Sequence, residues 1–455
     1  MSAKKTASVY YTCSECGASS PKWLGKCPDC GTWNSMIENQ SPAPASYDKK
    51  KHIHKSELIT IDNIPLEEQG RISTGISELD RVLGGGMVPG SSILIGGEPG
   101  IGKSTLMLQA ASKISQQHKT TYIAGEESPG QIASRAKRIG AISGKLTLTT
   151  QTTVEELEQV LRKHKTRILV VDSIQMLHSP QAGNTPGTIN QLKYCTYELS
   201  QWAKENNCIA FFIAHLTKEG SIAGPRQVEH MVDTVLYFEN TEHNLRILRS
   251  SKNRFGSIDE LGIFSMSAGG LEEVREISNL FLVNRAGELP PGVAVAPVEE
   301  GTRTFLVEIQ ALTVPSKTGL SRVYSGSIDP RQVSRVAAVL EKHIGLQFSS
   351  QDIYVNIAGG LRIKEVAIEL PLAMALYSAR TGINLPQSLA ITGELSLAGE
   401  VRSIKNLSRR IKTARELGIK NIISPPAEQE KIAENFTPVR TIKEAISTIF
   451  GNKNN

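Results

Sequence analysis

Residues 97–104 read Gly-Glu-Pro-Gly-Ile-Gly-Lys-Ser, a complete G-x-x-x-x-G-K-[ST]. The chemistry of that spacing is phosphate binding. Gly100 and Gly102 let the backbone bend closely round an anion. The amides there, and the positive end of the helix that follows, face it. Lys103 supplies a point charge for β- and γ-phosphates, Ser104 offers a hydroxyl to Mg²⁺, and Thr105 extends the lining. Gly97, Glu98, Pro99, Gly100, Ile101, Gly102, Lys103, Ser104 and Thr105 thus form the candidate cradle for ATP or ADP with Mg²⁺. Hydrolysis needs two further groups: a second Mg²⁺-associated carboxylate, and one that orients or deprotonates water. Asp172, which ends Arg167-Ile-Leu-Val-Val-Asp, fits the first role. Glu126 and Glu127, which end Thr121-Tyr-Ile-Ala-Gly, fit the second, with Glu127 ahead. The same acids would also favour the start of a helix opened by Ser128-Pro129.

A second constellation is Cys13-x2-Cys16 and Cys27-x2-Cys30, with ten residues between the pairs. Each C-x-x-C turn brings two thiolates to one side of an ion, and four close a tetrahedral site of the structural Zn²⁺ kind. The Cys-Gly after each pair suits knuckle turns. A module this small has little core of its own and is expected to fold only with the metal, packed by Trp23 and Trp33. Cys195 and Cys208 stand alone and read as small buried apolar filler.

These residues must be positioned by α/β elements. Ile93–Ile95 reads as a short strand before the glycines, and residues 105–114 carry apolar positions at helical spacing. Residues 121–124, 168–171 and 209–214 are apolar runs of the kind that form parallel strands covered on both faces. Their alternation with helices implies a doubly wound α/β domain. Residues 10–34 form the metal module, residues 35–58 a Pro-, Ser- and Lys-rich linker, residues 59–275 the central domain and residues 280–455 a second block. Net charge is +6, a mild lean toward polyanions. There is no apolar run long enough to span a membrane and no apolar signal core, so a cytoplasmic location is expected.

Residues 71–105, RISTGISELDRVLGGGMVPGSSILIGGEPGIGKST, resemble the opening of RecA and KaiC type ATPases, as does the stretch around Glu126-Glu127. Joined to the four-cysteine module and to Lys252-Asn-Arg-Phe-Gly256, the pattern is identified as that of the bacterial RadA (Sms) family, over essentially the whole chain. The resemblance implies a RecA-like core assembled into a homo-oligomeric ring of hexameric type, with ATP between subunits. Lys252 and Arg254 would reach a neighbour's γ-phosphate, although Lys252 is equally open to a DNA contact. His215 falls where related motors place a γ-phosphate sensor; it also suits a hydrogen-bonded strand cap. The loops 179–188 and 218–226 correspond to channel loops that hold single-stranded DNA, with Lys218 and Arg226 as candidate phosphate contacts. Neither loop contains an aromatic residue, so backbone tracking with little sequence preference is expected. The implied activity is that of a DNA-dependent ATPase and helicase acting on single-stranded and branched DNA. Its role would be branch migration in recombination and repair, with a RecA recombinase or a replicative helicase as partner. A different class of reading is a nucleotide-switched adaptor, which needs neither a water-orienting acid nor a cation in trans.

In the C-terminal block, Asp329-Pro330 opens a helix to about His343. A strand over 353–357, a helix over 364–379 and a helix over 407–417 follow. Residues 393–402, GELSLAGEVR, are similar to the proteolytic domain of Lon proteases, an α+β fold with a Ser–Lys dyad. The serine would fall near Val366 or Ala367, but residues 351–377 contain none, and the lysine position falls on Ser408. The resemblance therefore implies the fold without proteolysis. Arg322 and Arg362, with Lys364, Arg402, Lys405, Arg409 and Arg410, are either a DNA-facing basic surface or scattered solvated charges.

Overall fold

The computed structural model describes residues 9–13, 19–28, 31–40, 70–183, 186–215, 226–241, 245–274, 282–283, 289–317, 319, 321–426 and 436–451. The chain divides into two compact units, Met1–Glu239 with Arg246–Glu273, and Asn240–Leu245 with Val274–Asn455.

The N-terminal module is a three-stranded antiparallel ribbon of β1 (Val9–Cys13), β2 (Ser19–Ser20) and β3 (Met36–Gln40), in the order β2-β1-β3. Strand β3 pairs with β1 from Cys13↔Met36 to Val9↔Gln40, so the module runs past the expected boundary at residue 34. Its small core is Cys13, Cys27 and Met36, with Tyr11 against it. Trp23 and Trp33 are not its packing: they are 55% and 69% exposed. Both flank Gly25, and Lys26 Nζ lies 5.6 Å from the Trp33 ring centre, so these rings are used at the surface.

The central domain begins with α1 (Ser77–Val82), β4 (Ser92–Gly97), α2 (Lys103–Ile114), β5 (Thr120–Ala124) and α3 (Pro129–Arg138). It continues with β6 (Leu146–Thr149), α4 (Val154–His164), β7 (Ile168–Asp172), α5 (Ile189–Glu205) and β8 (Ile209–His215). The last elements are α6 (Arg226–Glu229), β9 (Thr234–Asn240), β10 (Leu245–Asn253), β11 (Leu261–Ser267) and β12 (Gly270–Glu273). The nine strands form one sheet in the order β12-β11-β10-β9-β4-β8-β7-β5-β6. Strand β4 pairs in parallel with β8 and β9, and β7 with β5 and β8. Side chains alternate along each strand: Ile93, Tyr122, Val170 and Phe211 enter one buried cluster, and Leu94, Ile123, Val171 and Phe212 the other. Two covered faces explain why these strands read as unbroken apolar runs. Cys195 and Cys208 are fully buried in the second cluster, where burial pushes both thiols up to about 12.

The C-terminal unit contains β13 (Val293–Glu300), β14 (Arg303–Pro315), β15 (Val323–Ser325), α7 (Pro330–Ile344), β16 (Gln351–Ile357) and α8 (Glu369–Thr381). Then follow β17 (Leu389–Ile391), β18 (Glu394–Leu395), β19 (Val401–Arg402), α9 (Leu407–Glu416), β20 (Asn421–Ser424), β21 (Phe436–Pro438) and α10 (Ile442–Phe450). Seven strands form a mixed sheet in the order β15-β16-β14-β13-β17-β20-β21, and β18 and β19 pair as a hairpin. Asp329 caps α7 by accepting from the Arg331 amide. Helix α8 starts at Glu369 rather than 364: residues 361–364 alternate buried and exposed, as extended chain does, and a short 3-10 turn at Val366–Ile368 leads in. No helix among the described residues is long and apolar enough to cross a membrane.

Candidate nucleotide site

The phosphate loop joins β4 to α2. Gly100 and Gly102 hold φ of +77 and +117, left-handed values that favour glycine. Lys103 begins the helix and is buried; its ammonium donates to the carbonyls of Gly97 (2.7 Å) and Glu98 (2.9 Å). Burial lowers its pKa to about 8 against the opposing pull of the Asp172, Glu126 and Glu98 carboxylates. A charge so held gains most when an anion enters the loop.

Strand β8 lies between the loop strand β4 and the carboxylate strand β7, and pairing sets Gly97 opposite His215. Asp172 ends β7 and is buried; the Tyr122 hydroxyl donates to its Oδ2. Burial, and then the adjacent Asp172, hold the Tyr122 hydroxyl well above its ordinary pKa, so it remains a donor. Glu126 Oε1 accepts from the Ser173 hydroxyl and lies 3.2 Å from His215 Nε2. His215 Nδ1 is buried and has no hydrogen-bond partner among the described residues. Glu127, which sequence reasoning placed ahead, instead forms an ion pair with Arg135 on α3 at 2.7 Å. The two acids diverge because the chain turns at Gly125. A Cβ there would lie 2.6 Å from Met176 Cβ, and its amide donates to the Asp172 carbonyl at 2.8 Å. The arrangement therefore gathers a phosphate cradle, a buried carboxylate and an acid–imidazole pair at the carboxyl ends of the central strands β4, β8, β7 and β5. Ser104 and Asp172 supply the hydroxyl and carboxylate that suit Mg²⁺.

Lys252 and Arg254 are elsewhere. Lys252 lies near the end of β10 and Arg254 in the turn after it. The Arg254 amide donates to the Asp233 carbonyl at 3.1 Å, and Thr234 Oγ1 donates to Asn253 at 3.3 Å. Thr234 pairs with Ile93, and Phe238 with Gly97. The pair is thus four residues down the sheet from the loop, about 13 Å at the ordinary strand rise. The Lys252 ammonium donates to the carbonyls of Glu229 (2.9 Å), His230 (3.3 Å) and Val232 (2.7 Å). Arg254 is 60% exposed and meets Asp233 at 3.5 Å, whose other oxygen accepts from Ser92 at the start of β4.

In the ribbon, the Cys13 and Cys27 thiols are buried together, and Gly31 N donates to the Cys27 carbonyl at 3.0 Å with φ of +73 at Gly31. Paired buried sulfurs on such a turn fit a thiolate metal site. Cys16, Cys30, Lys218 and the linker residues 41–58 lie outside the described residues, as does the Arg226 side chain. In the C-terminal unit Arg322, Arg362, Lys364 and Lys405 are exposed. Arg402 meets Glu394 and Glu400, and Arg409 meets Glu299. Arg410 is no part of a basic surface: it is 3% exposed, with ion pairs to Glu299 and Glu365. Sequence reasoning passed over Tyr122, Gly125, Arg135 and Asp233, because their roles come from partners distant in sequence.

Comparison with known proteins matches this layout. A family model described as "Rubredoxin metal binding domain" matches residues 11–38, one described as "AAA domain" matches 63–221, and "Subunit ChlI of Mg-chelatase" matches 327–428. A solved structure, "The Structure Of A DnaB-Like Replicative Helicase And Its Interactions With Primase", aligns with a TM-score of 0.40 and 16% identity over 46% of this chain and 62% of its own. The "DNA repair protein RadA" of Treponema pallidum is 49% identical, covering 98% of this chain and 99% of its own. That of Aquifex aeolicus is 41% identical, covering 99% and 100%. Identity of this order along the entire length means that the chain belongs to the family of the DNA repair protein RadA.

Proposed function

We propose that this chain is an ATP-driven motor that acts on single-stranded and branched DNA in recombination and repair, promoting branch migration as a hexameric ring. One observation carries the reading furthest. Lys252 and Arg254 stand about 13 Å down the sheet from the loop of their own subunit, as judged from the strand pairing. Cations so placed cannot reach their own γ-phosphate; a neighbouring subunit can use them, which makes hydrolysis a property of the assembly.

In this mechanism Lys103 and the loop amides bind the β- and γ-phosphates. Ser104 and Asp172 hold Mg²⁺, which neutralises charge on the phosphate oxygens when bound. Glu126 is the base that orients water, set by Ser173 and His215. Glu127 acts through Arg135 to position α3. His215, beside the loop at Gly97, senses the γ-phosphate and passes its presence to the segment after β8, which carries Lys218 and Arg226 as DNA contacts. Arg322 and Arg362 add contacts from the C-terminal unit. The ribbon holds Zn²⁺ through Cys13, Cys16, Cys27 and Cys30 and docks a recombinase or a replicative helicase.

The test is ATP turnover with and without single-stranded DNA, followed by fork unwinding with each strand blocked in turn. Stimulated turnover and unwinding are expected. Unstimulated turnover with no unwinding would favour the nucleotide-switched adaptor. Lys103→Ala should remove turnover altogether.

A further inference from the structure

Resting on the reading of residues 97–105 as the phosphate site, we infer that the nucleoside of the bound nucleotide lies against Met266, with Arg246 beside it, on the β10–β12 flank of the loop. Direction comes first. The groups that serve a γ-phosphate, Asp172, Glu126 and His215, all lie on the β8, β7 and β5 side of β4. A triphosphate with its γ end there leaves its nucleoside on the opposite flank, over β9 to β12.

That flank is built to meet the loop. A Cβ on Gly102 would lie 2.9 Å from Met266 Cε and 3.2 Å from Leu271 Cδ1, so the β11–β12 hairpin reaches the loop itself. The hairpin is fastened to the phosphate-binding helix by Gln109, whose amide donates to the Leu271 carbonyl (3.2 Å) and accepts from the Leu271 amide (3.0 Å). Gly270, at φ +106, admits that amide: a Cβ would lie 2.9 Å from Gln109 Nε2. Arg246 on β10 donates from Nε to the Ile101 carbonyl at 3.2 Å.

The chemistry suits a base. Leu271 is buried, whereas Met266 is 39% exposed although its methyl touches the loop. A flexible, polarisable thioether packs well on an aromatic face. A guanidinium beside it can stack on the ring or meet ribose oxygens. Such a surface grips a nucleobase by its face and selects weakly between purines.

Calorimetric titration of the full chain with MgATP and with magnesium tripolyphosphate, which has no base, separates the possibilities. Met266→Ala should weaken ATP about five- to tenfold and leave tripolyphosphate within about twofold, as expected for loss of one side-chain contact with a ring. Met266→Leu should restore most of the loss. Equal weakening of both ligands would mean that Met266 only props the loop, and no change in either would place the base elsewhere; both outcomes overturn the inference. Lys103→Ala should weaken both ligands strongly. If it weakened neither, the phosphate assignment would fail, whatever Met266 does.

Discussion

Gly84 and Gly256 meet backbone to backbone: a Cβ on Gly84 would lie 3.2 Å from Gly256 Cα, and one on Gly256 would lie 3.1 Å from Gly84 Cα. Arg71 closes the seam. It donates to the carbonyls of Leu83 (3.2 Å) and Gly86 (3.1 Å) on one side and to that of Phe255 on the other. The turn carrying Lys252 and Arg254 is thereby seated on the glycine run before β4. Gly256→Ala should shift that turn by a few tenths of an ångström or more. Turnover should fall about tenfold while ATP binding stays within about twofold, since misplacement rather than lost contact is the cause. Steady-state ATPase and nucleotide titration check this; unchanged turnover would separate the seam from the chemistry.

Lys103 offers a prediction in pH. Its folded pKa, about 8, lies below the unfolded value of 10.5, so the nucleotide-free fold favours the neutral amine. The charged form is therefore a cost that is fully present below pH 8 and fades as pH rises from 8 to 10.5. Lys103→Met should be the more stable protein at pH 7 without nucleotide, by up to about 3 kcal/mol. The advantage should shrink toward pH 10. Melting curves at the two pH values, with the wild type alongside, decide it; a constant gap would assign the effect to packing. Saturating MgATP should reverse the order by stabilising only the wild type.

The two acids of Glu126-Glu127 should separate cleanly. Glu126 faces Ser173 and His215, and Glu127 faces Arg135. Glu126→Gln should cut turnover by about 100-fold or more with ATP still bound, the loss typical of a positioned base. Glu127→Gln should cost nearer tenfold, and pairing it with Arg135→Gln should add little, because the first change already breaks the ion pair. Single-turnover kinetics read both. A larger loss at Glu127 would exchange the roles.

How far the sequence carries depends on the range of the interaction. The phosphate loop, the strands that read as apolar runs and the metal-binding character of the N-terminal module were legible because each is local: a motif with its own strand and helix, or a spacing. The capped helix at Asp329-Pro330 was legible for the same reason. What was not legible is long-range. Arg71 meets Phe255 across 184 residues, and Tyr122 meets Asp172 across 50. Glu126 and Glu127 are neighbours whose roles diverge only once α3 brings Arg135 alongside. Trp23 and Trp33 looked like packing for a small module, yet among the described residues the buried cluster of the ribbon is Cys13, Cys27 and Met36, and both rings lie exposed outside it.

The ribbon should depend on its metal while the central domain does not. Cys13 and Cys27 share one small core and are both proposed ligands, so losing either would remove the link that holds it. Cys27→Ser should release about one Zn²⁺ per chain to a chromogenic chelator, leaving DNA-independent ATP turnover within about twofold. A protein that kept its zinc, or lost turnover with it, would contradict a separate structural site.

Arg410 makes the sharpest stability test, since charge and packing predict different pH behaviour. Its guanidinium donates to the carbonyls of Lys405 (3.1 Å) and Pro297 (2.9 Å), to both oxygens of Glu365 (3.0 and 2.7 Å) and to Glu299 (3.2 Å). Burial holds the Glu365 carboxyl above its ordinary range, against the opposing hydrogen bonds and charge of Arg410. Arg410→Met takes the buried guanidinium away from two carboxylates and should cost about 3–5 kcal/mol at neutral pH. With the guanidinium gone, the folded pKa of Glu365 rises further above its unfolded value. A group so raised destabilises the fold above that pKa, and the penalty fades as pH falls through it toward the unfolded value. The loss in melting temperature should therefore be larger at pH 7.5 than at pH 5. Adding Glu299→Gln and Glu365→Gln to Arg410→Met should recover most of it at pH 7.5, because no buried charge is then left unpaired and Arg409, which also meets Glu299, is half exposed. An equal loss at both pH values, unrelieved by the added amides, would mean that the guanidinium serves as volume and its charge is incidental.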